Sequence, residues 1–301
     1  MKLIFIVGAT ATGKSELSLQ LAERLDGEIV NADSMQLYRG MDIGTAKLSM
    51  QDRRGIPHHL IDILDVTEDA SVAQYQSWAR GKIDELLSSG KSVVVVGGTG
   101  LYVKAILDEL NFPDTNPEVR AKLAEEADRI GGEAMHQRLG KLDPAAAAAI
   151  PKENVRRVVR ALEVIEITGK PFTANLPRAG ASYYPDAWQF GLVMNREDLK
   201  ERIDRRVDQM WREGLVSEVR SLVEKGLNSG KTARAALGYS QILDYLAEKT
   251  SEEQAREETK RATRAYARRQ ETWFSRDGRI KWLKGDTGER LEVILSTTIS
   301  G

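Results

Sequence analysis

The octapeptide GATATGKS, Gly8 to Ser15, directly follows the apolar run LIFIV, Leu3 to Val7. Its spacing is G-x-x-x-x-G-K-[ST], the pattern of a phosphate-binding loop between a buried strand and a helix. The glycines let the backbone curl so that successive N–H groups point inward, and the following helix adds its positive N-terminal end. Lys14 supplies a point charge, and the Ser15 hydroxyl supplies a ligand for Mg²⁺. The residues predicted to hold phosphate are Gly8, Ala9, Thr10, Ala11, Thr12, Gly13, Lys14 and Ser15.

Strand and helix patterns alternate around this loop. Strands are predicted at Lys2 to Val7, Glu28 to Asn31, Leu60 to Ile63, Ser92 to Val96, Trp188 to Met194 and, from a weaker pattern, Arg279 to Leu283. Helical patterns lie at Lys14 to Leu25 and Val72 to Leu87. Such alternation is typical of a parallel sheet with helices on both faces. The sequence therefore predicts an α/β protein with a sheet like that of the P-loop NTPases.

The pattern changes to helices alone between Asn116 and about Gly169. Asn116 followed by Pro117, and Asp143 followed by Pro144, are typical helix starts. The helical block is followed by PRAGASYYPDA before the next strand begins. We therefore expect residues 1–114 and 187–301 to form the α/β core with C-terminal helices, and residues 115–186 to form an all-helical insertion.

Composition excludes several classes of protein. The chain has no cysteine, which rules out disulfides, thiolate catalysis and cysteine-bound zinc. Its apolar runs are much shorter than the roughly 20 residues needed to cross a membrane, and it begins without a signal-peptide pattern. The net charge of −1 gives the whole molecule no bias toward polyanions. We expect a cytoplasmic protein that makes no membrane contact, with a monomer as the default.

The ends of two predicted strands indicate what the loop is used for. A nucleotide-hydrolysing enzyme with this loop usually carries a carboxylate at the end of a neighbouring apolar strand. The strand VVVVGGTGLY ends instead in Gly97, Gly98 and Thr99. Asp33 follows another strand, and ligands of such sheets bind outside the carboxyl ends of the strands. Asp33 is therefore predicted to face the phosphate crevice, although a solvated or helix-capping aspartate has the same spacing.

Longer motifs carry a resemblance that covers nearly the whole chain. They are GATATGKSELSLQLA, NADSMQLYRGMDIGTAK, PHHLID, VVVVGGTGLYVKAIL, RRVVRALEVIEITGK and GYSQI. In this order they resemble the bacterial tRNA dimethylallyltransferase family, also called tRNA isopentenyltransferases or IPP transferases. The resemblance implies that the loop holds the diphosphate of dimethylallyl diphosphate. It also implies that the prenyl group goes to N6 of adenine 37 in tRNA, with Mg²⁺ as the cofactor and the anticodon stem-loop as the partner.

The resemblance also implies roles for individual residues. Asp33 is the general base, Lys14 and Thr99 complete the catalytic set, and Arg202 and Arg206 help hold the diphosphate. The implied tRNA-binding residues are Asp33, Ser34, Met35, Gln36, Thr99, Arg120, Arg156, Arg157, Val158, Val159 and Arg160. From the residues alone, Arg202 and Arg206 are equally well explained as solvated partners of nearby carboxylates, and the Arg156 to Arg160 run as a solvated face beside packing valines.

A second basic segment lies near the C-terminus. Lys260 to Arg276 contains six basic residues and one acidic residue, with Tyr266, Trp273 and Phe274 among them. Arginines beside aromatic residues suit phosphate contacts and base stacking. We therefore predict RNA contact for this segment, with Trp273 and Phe274 as core residues.

Three other functions use the same features. A P-loop small-molecule kinase would use Asp33 as the base on an acceptor hydroxyl, with ATP in the loop. An isopentenyltransferase could act on free AMP, ADP or ATP, but such enzymes lack much of the helical insertion. A non-catalytic RNA-binding protein would leave Lys14 and Asp33 without a role. The motifs DSMQLYRGMDIGTAK and GGTGLY favour transfer to tRNA.

Overall fold

Short apolar segments form one parallel sheet within the part of the chain that the structure describes, residues 1–175 and 181–299 of a computed structural model. Its strands are β1 (Leu3–Gly8), β2 (Gly27–Asn31), β3 (His58–His59), β4 (Ser92–Gly97), β5 (Trp188–Leu192) and β6 (Lys281–Leu283). The strand order is β3-β2-β4-β1-β5-β6, and every paired neighbour is parallel. The parallel α/β fold predicted from the sequence is confirmed.

Most of these strands are followed along the chain by one or more helices. The helices are α1 (Lys14–Leu25), α2 (Val72–Ser88), α3 (Gly100–Leu107), α4 (Pro117–Ile130), α5 (Gly132–Leu142), α6 (Pro144–Ala149), α7 (Val155–Thr168), α8 (Arg196–Arg212), α9 (Leu215–Glu224), α10 (Tyr239–Leu246), α11 (Glu252–Phe274) and α12 (Thr287–Ile299). Short 3₁₀ turns lie at Phe172–Asn175, Leu227–Ser229 and Ala233–Ala235. The bounds of α1 are those predicted from its pattern.

Side chains of the central strands alternate between two cores, as the period of a strand requires. Phe5 and Val95 point to a core built with α2, α3, α9 and α10, whereas Ile6 and Val94 point to a core built with α1 and α12. Because both faces are covered, the central strands are apolar throughout, which is why VVVV reads as a fully buried strand. The carboxyl ends of β1, β2 and β4 are left to form a site.

The strand predicted at Leu60 to Ile63 is wrong. The sheet pairs only His58–His59 with β2, and Leu60 and Asp62 adopt φ values of 59° and 58°. A strand does not accommodate positive φ. The segment instead turns back, and Leu60 O accepts a hydrogen bond of 2.9 Å from the Asn31 side chain.

The chain divides into two compact units, one of Met1–Leu107 with Tyr184–Gly301 and the other of Asp108–Tyr183. These divisions lie a few residues before those predicted at 114/115 and 186/187. Part of the segment PRAGASYYPDA, residues 177–180, lies outside the described residues. The second unit contains α4 to α7 around its own apolar core, which includes Leu123, Met135 and Leu162.

Polar caps fix the ends of these helices, as predicted. The Asn116 side chain accepts hydrogen bonds from the backbone N–H groups of Glu118 and Val119 at the start of α4. The Asp143 side chain caps α6, and Gly169 ends α7 with a φ of 66°. Asparagine and aspartate satisfy free N–H groups at a helix start, and glycine accepts the left-handed end.

Buried Glu163 organises the second unit. Its carboxylate accepts hydrogen bonds from Arg120 Nε at 2.8 Å and the Asn116 backbone N–H at 3.0 Å, and lies 2.9 Å from Arg160 Nη1. Burial alone would raise the pKa of Glu163, but the contacts with Arg160, Arg120 and Asn116 outweigh it and hold the pKa below its usual value. Arg120 and Arg160, both predicted to bind tRNA, therefore also hold this unit together.

We expect Glu163→Ala to lower the stability of the second unit by about 1.5–3 kcal/mol, the range for hydrogen bonds to charged groups. Because its folded pKa is depressed, the contribution is present at neutral pH and is lost as the pH falls through the acidic range. Hydrogen exchange of the α7 amides measures the change. Glu166→Ala, which removes a longer ion pair of 3.9 Å with Arg138, is the control. Equal exchange in both variants would contradict this role.

Val158 and Val159 are 0% and 6% exposed and belong to the core of the same unit. Their predicted tRNA contact is therefore wrong at the level of the side chain, because a buried valine offers no surface to RNA. The packing role that the sequence also allows is the one observed. Arg156 and Arg157, on the same helix, are exposed.

Candidate active site

The phosphate loop connects β1 to α1. Gly8 has a φ of 133°, and a Cβ there would lie 3.1 Å from the Leu192 carbonyl oxygen, while Gly13 has a φ of 95°. Both conformations favour glycine. Ala11 also lies in the left-handed region, with a φ of 65°. The loop therefore holds its curled shape even at a residue that carries a Cβ.

Side chains from distant parts of the chain support the loop. The Thr10 backbone N–H donates to Gln270 Oε1 at 2.8 Å. Arg290 of α12 donates to the carbonyl oxygens of Thr12 at 3.2 Å and Val193 at 2.8 Å. Gln270 lies within the basic segment Lys260 to Arg276 but is not one of its predicted site residues, and Arg290 belongs to no motif that sequence patterns single out. Side chains of the C-terminal helices α11 and α12 therefore hold the backbone of the loop in place.

Lys14 lies at the base of the loop. Its Nζ donates to the carbonyl oxygens of Gly8 at 3.0 Å and Ala9 at 2.7 Å. Desolvation lowers the pKa of Lys14 to about 8, helped by the charge of Arg206 and opposed by Asp33. The lysine is therefore a cation that loses its charge at mildly alkaline pH.

We expect the affinity for inorganic diphosphate to fall as the pH rises above about 8, because Lys14 is protonated below that value and neutral above it. Calorimetric titration at a series of pH values measures this. Since diphosphate itself ionises, the informative quantity is the difference from Lys14→Met, which should bind weakly without the lysine-dependent fall. A parallel pH profile in both proteins would assign the ionisation elsewhere.

Helix α8 brings arginines to the loop. Arg202 and Arg206 line a cavity of about 770 Å³ together with Lys14 and Ser15, and Arg206 Nη1 lies 3.5 Å from Thr10 Oγ1. Burial lowers the pKa of Arg206 from its usual value. Arg205, which is not among the predicted site residues, lines the same cavity. The cavity thus collects cationic side chains around the phosphate loop.

Asp33 follows β2 in a turn that fixes its backbone. Buried Asn31 donates to the Asp33 carbonyl and accepts from its backbone N–H, both at 2.9 Å. Asp33 Oδ1 accepts from the Met35 backbone N–H at 2.9 Å. The half-buried side chain lines the same cavity as Lys14, as the sequence predicts. Asn31 fixes the position of this turn, and sequence reasoning missed it.

Asp33 also lines a second cavity, of about 440 Å³. Thr99 Oγ1 accepts from the Ser34 backbone N–H at 3.1 Å, and both residues line this cavity with Met35. Its wall also contains the apolar or aromatic side chains of Ile203, Val207, Met210, Tyr239 and Tyr266. Gln36 lines the first cavity instead and donates to the Thr45 carbonyl at 3.1 Å.

Four residues line both cavities: Thr10, Asp33, Thr45 and Arg206. One cavity is surrounded by loop amides and cations, and the other by Thr99, Ser34 and apolar side chains. The carboxylate of Asp33 lies where they meet. This arrangement places an anion-binding cavity beside a less polar one, with a proton acceptor between them.

Half of the six basic side chains in the segment Lys260 to Arg276 are paired with carboxylates. Lys260 Nζ lies 2.7 Å from Asp208, and Arg264 Nη1 lies 2.8 Å from Asp204, both on α8. Arg261 pairs with Glu258 of its own helix. These ion pairs join α8 to α11, so the segment offers fewer free cations to RNA than its sequence suggests. Arg268, Arg269 and Arg276 are exposed.

Of the two residues of α11 predicted to lie in the core, one is buried and the other is exposed. Phe274 is 2% exposed and belongs to the main core, as predicted. Trp273 is 43% exposed, so its ring is not a core residue. Its indole lies against Gly100, where a Cβ would collide with the ring. The tryptophan packs on the start of α3 with one side open.

The side-chain oxygens near the phosphate loop decide how the protein could coordinate Mg²⁺. Within the described residues, no group of three or more histidine, aspartate or glutamate side chains is placed to hold a metal. Ser15 lines the first cavity, and the carboxylate of Glu16 accepts a hydrogen bond from Arg54 at 2.8 Å. Mg²⁺ is commonly held by one or two protein ligands together with substrate phosphates and water. This donor set fits that mode.

The fold and the site define a class of protein: a phosphate-loop α/β protein with a carboxylate between an anion cavity and a less polar cavity. Sequence comparison identifies the family. The model of the IPP transferase family matches residues 36–277. The tRNA dimethylallyltransferase of Streptomyces avermitilis is 57% identical over 292 residues, with 97% of this chain and 93% of that protein covered. The chain belongs to the IPP transferase family.

Solved structures agree with this assignment. The tRNA isopentenylpyrophosphate transferase of Bacillus halodurans is 41% identical, with a TM-score of 0.73 and coverage of 99% of this chain and 96% of that one. A eukaryotic dimethylallyltransferase acting on tRNA is 30% identical, with a TM-score of 0.79 and coverage of 94% and 73%. In the described residues, no helix has the length and apolar character required to cross a membrane.

Proposed function

We propose that this protein transfers the dimethylallyl group of dimethylallyl diphosphate to N6 of adenine 37 in tRNA and releases diphosphate. The observation that supports this most is the position of Asp33 on the shared wall of two unlike cavities. A transferase needs donor and acceptor to meet at one point. The relatives similar to this chain are named for the transfer of a dimethylallyl group to tRNA.

The first cavity suits the diphosphate. Loop N–H groups, Lys14, Arg202 and Arg206 can bind the leaving group, and their charges stabilise the negative charge that develops on it. Ser15 would hold Mg²⁺, which supplies further positive charge to the phosphate oxygens. Because diphosphate leaves intact, no water has to be activated. This explains why β4 can end in glycine and threonine rather than a carboxylate.

The second cavity suits the adenine. A base in an anticodon loop must leave its stack before an enzyme can modify it. Ser34, Met35 and Thr99 would contact the base, and Asp33 would accept the proton of the attacking amine. The bond from the allylic carbon to the diphosphate oxygen breaks, the bond from N6 to that carbon forms, and the N6 proton goes to the Asp33 carboxylate.

The exposed arginines of the helical unit would bind the tRNA partner. Exposed Arg156 and Arg157 would contact the anticodon stem-loop, with Arg120 and Arg160 beside them. The protein acts in the cytoplasm as a monomer. A free nucleotide acceptor, or ATP in the loop of a kinase, is the alternative that the phosphate loop alone would allow.

Labelled dimethylallyl diphosphate distinguishes these functions. The protein is incubated with Mg²⁺ and either unmodified tRNA or AMP as the acceptor. We expect label in the tRNA, at adenine 37 after nuclease digestion and mapping. Label in AMP would move the protein to the free-nucleotide class, and label in neither would favour the kinase. A tRNA with guanosine at position 37 is the matched control.

A further inference from the structure

Gln270 lies one turn before the end of α11 and makes two hydrogen bonds across the site. Its Oε1 accepts from the Thr10 backbone N–H at 2.8 Å, and its Nε2 donates to the Gly98 carbonyl at 2.9 Å. The side chain is 4% exposed. Because one partner is a donor and the other an acceptor, the orientation of the amide is fixed by its contacts.

The two partners belong to different halves of the site. Thr10 is in the phosphate loop, and Gly98 precedes Thr99, which binds the Ser34 turn at the acceptor cavity. Gly98 also leaves the space that Gln270 occupies, since a Cβ at Gly98 would collide with Nε2. One turn earlier on α11, Tyr266 lines the acceptor cavity together with Thr99.

We propose that Gln270 is a positioning residue that fixes the donor half and the acceptor half of the site relative to each other. This inference rests on the proposed transfer reaction. Gln270 does not bind substrate in this role. It holds the Thr10 amide of the phosphate loop and the Gly98–Thr99 turn beside Asp33 at a fixed separation. The allylic carbon and N6 therefore approach within reacting distance. Misplacement of reacting groups by about 1 Å can cost on the order of a hundredfold in rate.

Two variants of Gln270 distinguish an effect of its hydrogen bonds from an effect of its packing. Gln270→Met has nearly the same shape and removes both hydrogen bonds. Gln270→Glu keeps the acceptor for Thr10 but, when ionised, places an oxygen anion against the Gly98 carbonyl. When protonated, its O–H can donate to that carbonyl and restore the native pattern. Phe274→Leu, a buried change on the same helix outside both cavities, is the control.

The readouts are transfer kinetics, affinity for inorganic diphosphate and the pH profile. We expect Gln270→Met to lower kcat about tenfold to a hundredfold and to weaken diphosphate binding several-fold. Gln270→Glu should recover activity relative to wild type as the pH falls. Phe274→Leu should lower thermal stability and leave both the diphosphate affinity and the pH profile as in wild type.

Each outcome bears on one proposal. Wild-type kcat and diphosphate affinity in Gln270→Met, or a wild-type pH profile in Gln270→Glu, would overturn the positioning role. If the wild-type protein transfers no prenyl group, the proposed function fails, and the positioning role is then decided by diphosphate affinity and by hydrogen exchange at the Thr10 amide. Fast exchange at that amide in Gln270→Met supports the contact to the loop, and unchanged exchange rejects it.

Discussion

An Asp33→Asn variant should bind diphosphate and tRNA but transfer the prenyl group about 10²–10⁴ times more slowly than wild type, the range for loss of a general base. Asparagine has nearly the size of aspartate, and its side-chain oxygen can still accept from the Met35 N–H that aspartate binds at 2.9 Å. The turn that follows β2 is therefore retained. Only the capacity to take the proton from N6 is lost.

Single-turnover transfer from labelled dimethylallyl diphosphate to tRNA measures this loss separately from binding. Asp65→Asn is a matched control, because Asp65 is an exposed residue paired with Arg39 away from both cavities. We expect the control to retain wild-type transfer. Wild-type transfer in Asp33→Asn would show that another group accepts the proton, and loss of diphosphate binding would show that Asp33 acts on the donor instead.

Local patterns predicted the parts of this site that are contiguous in sequence. The loop from Gly8 to Ser15 follows from its spacing, because its predicted roles depend on backbone geometry, the Lys14 charge and the Ser15 hydroxyl. Asp33 follows from the rule that strand ends of a parallel sheet share one edge. Both predictions need only local structure and the direction of the strands, which the alternating pattern supplies.

Contacts across long stretches of chain could not be predicted in this way. Gln270 reaches Thr10 from a helix 260 residues further along the chain, and Arg290 reaches Thr12 over a still longer separation. A glutamine in an arginine-rich helix carries no periodic signal. Its partners are a backbone N–H and a backbone carbonyl, which nearly every residue possesses, so only the packing of α11 against the loop identifies it.

The charge pattern was also incomplete as a guide. Six cations between Lys260 and Arg276 suggest an RNA surface, but the acids that pair with two of them lie on α8, more than 50 residues earlier in the sequence. In the same way, Glu163 pairs with Arg120 and Arg160, which are both predicted to bind tRNA. Charge runs show where cations are, and only the fold shows which of them remain available.

Removal of Arg206 is expected to slow transfer about 10²–10³-fold, the typical cost of losing one donor that stabilises developing negative charge. Arg206 lines both cavities and is half-buried, so its charge acts on the leaving diphosphate with little screening by water. The guanidinium also lowers the pKa of Lys14, which is about 8.

The variant Arg206→Met is therefore expected to change both the rate of transfer and the pKa of Lys14. It lowers kcat, and it raises the pKa of Lys14, so the alkaline fall in diphosphate affinity should move to higher pH than in wild type. Calorimetry across the pH range and single-turnover transfer measure the two effects in one protein. Arg212→Met, an exposed change in the last turn of α8, should alter neither.

A slower reaction in Arg206→Met, with diphosphate affinity falling at the same alkaline pH as in wild type, would mean that Arg206 stabilises the transition state without affecting the pKa of Lys14. An unchanged rate would remove Arg206 from the leaving-group site.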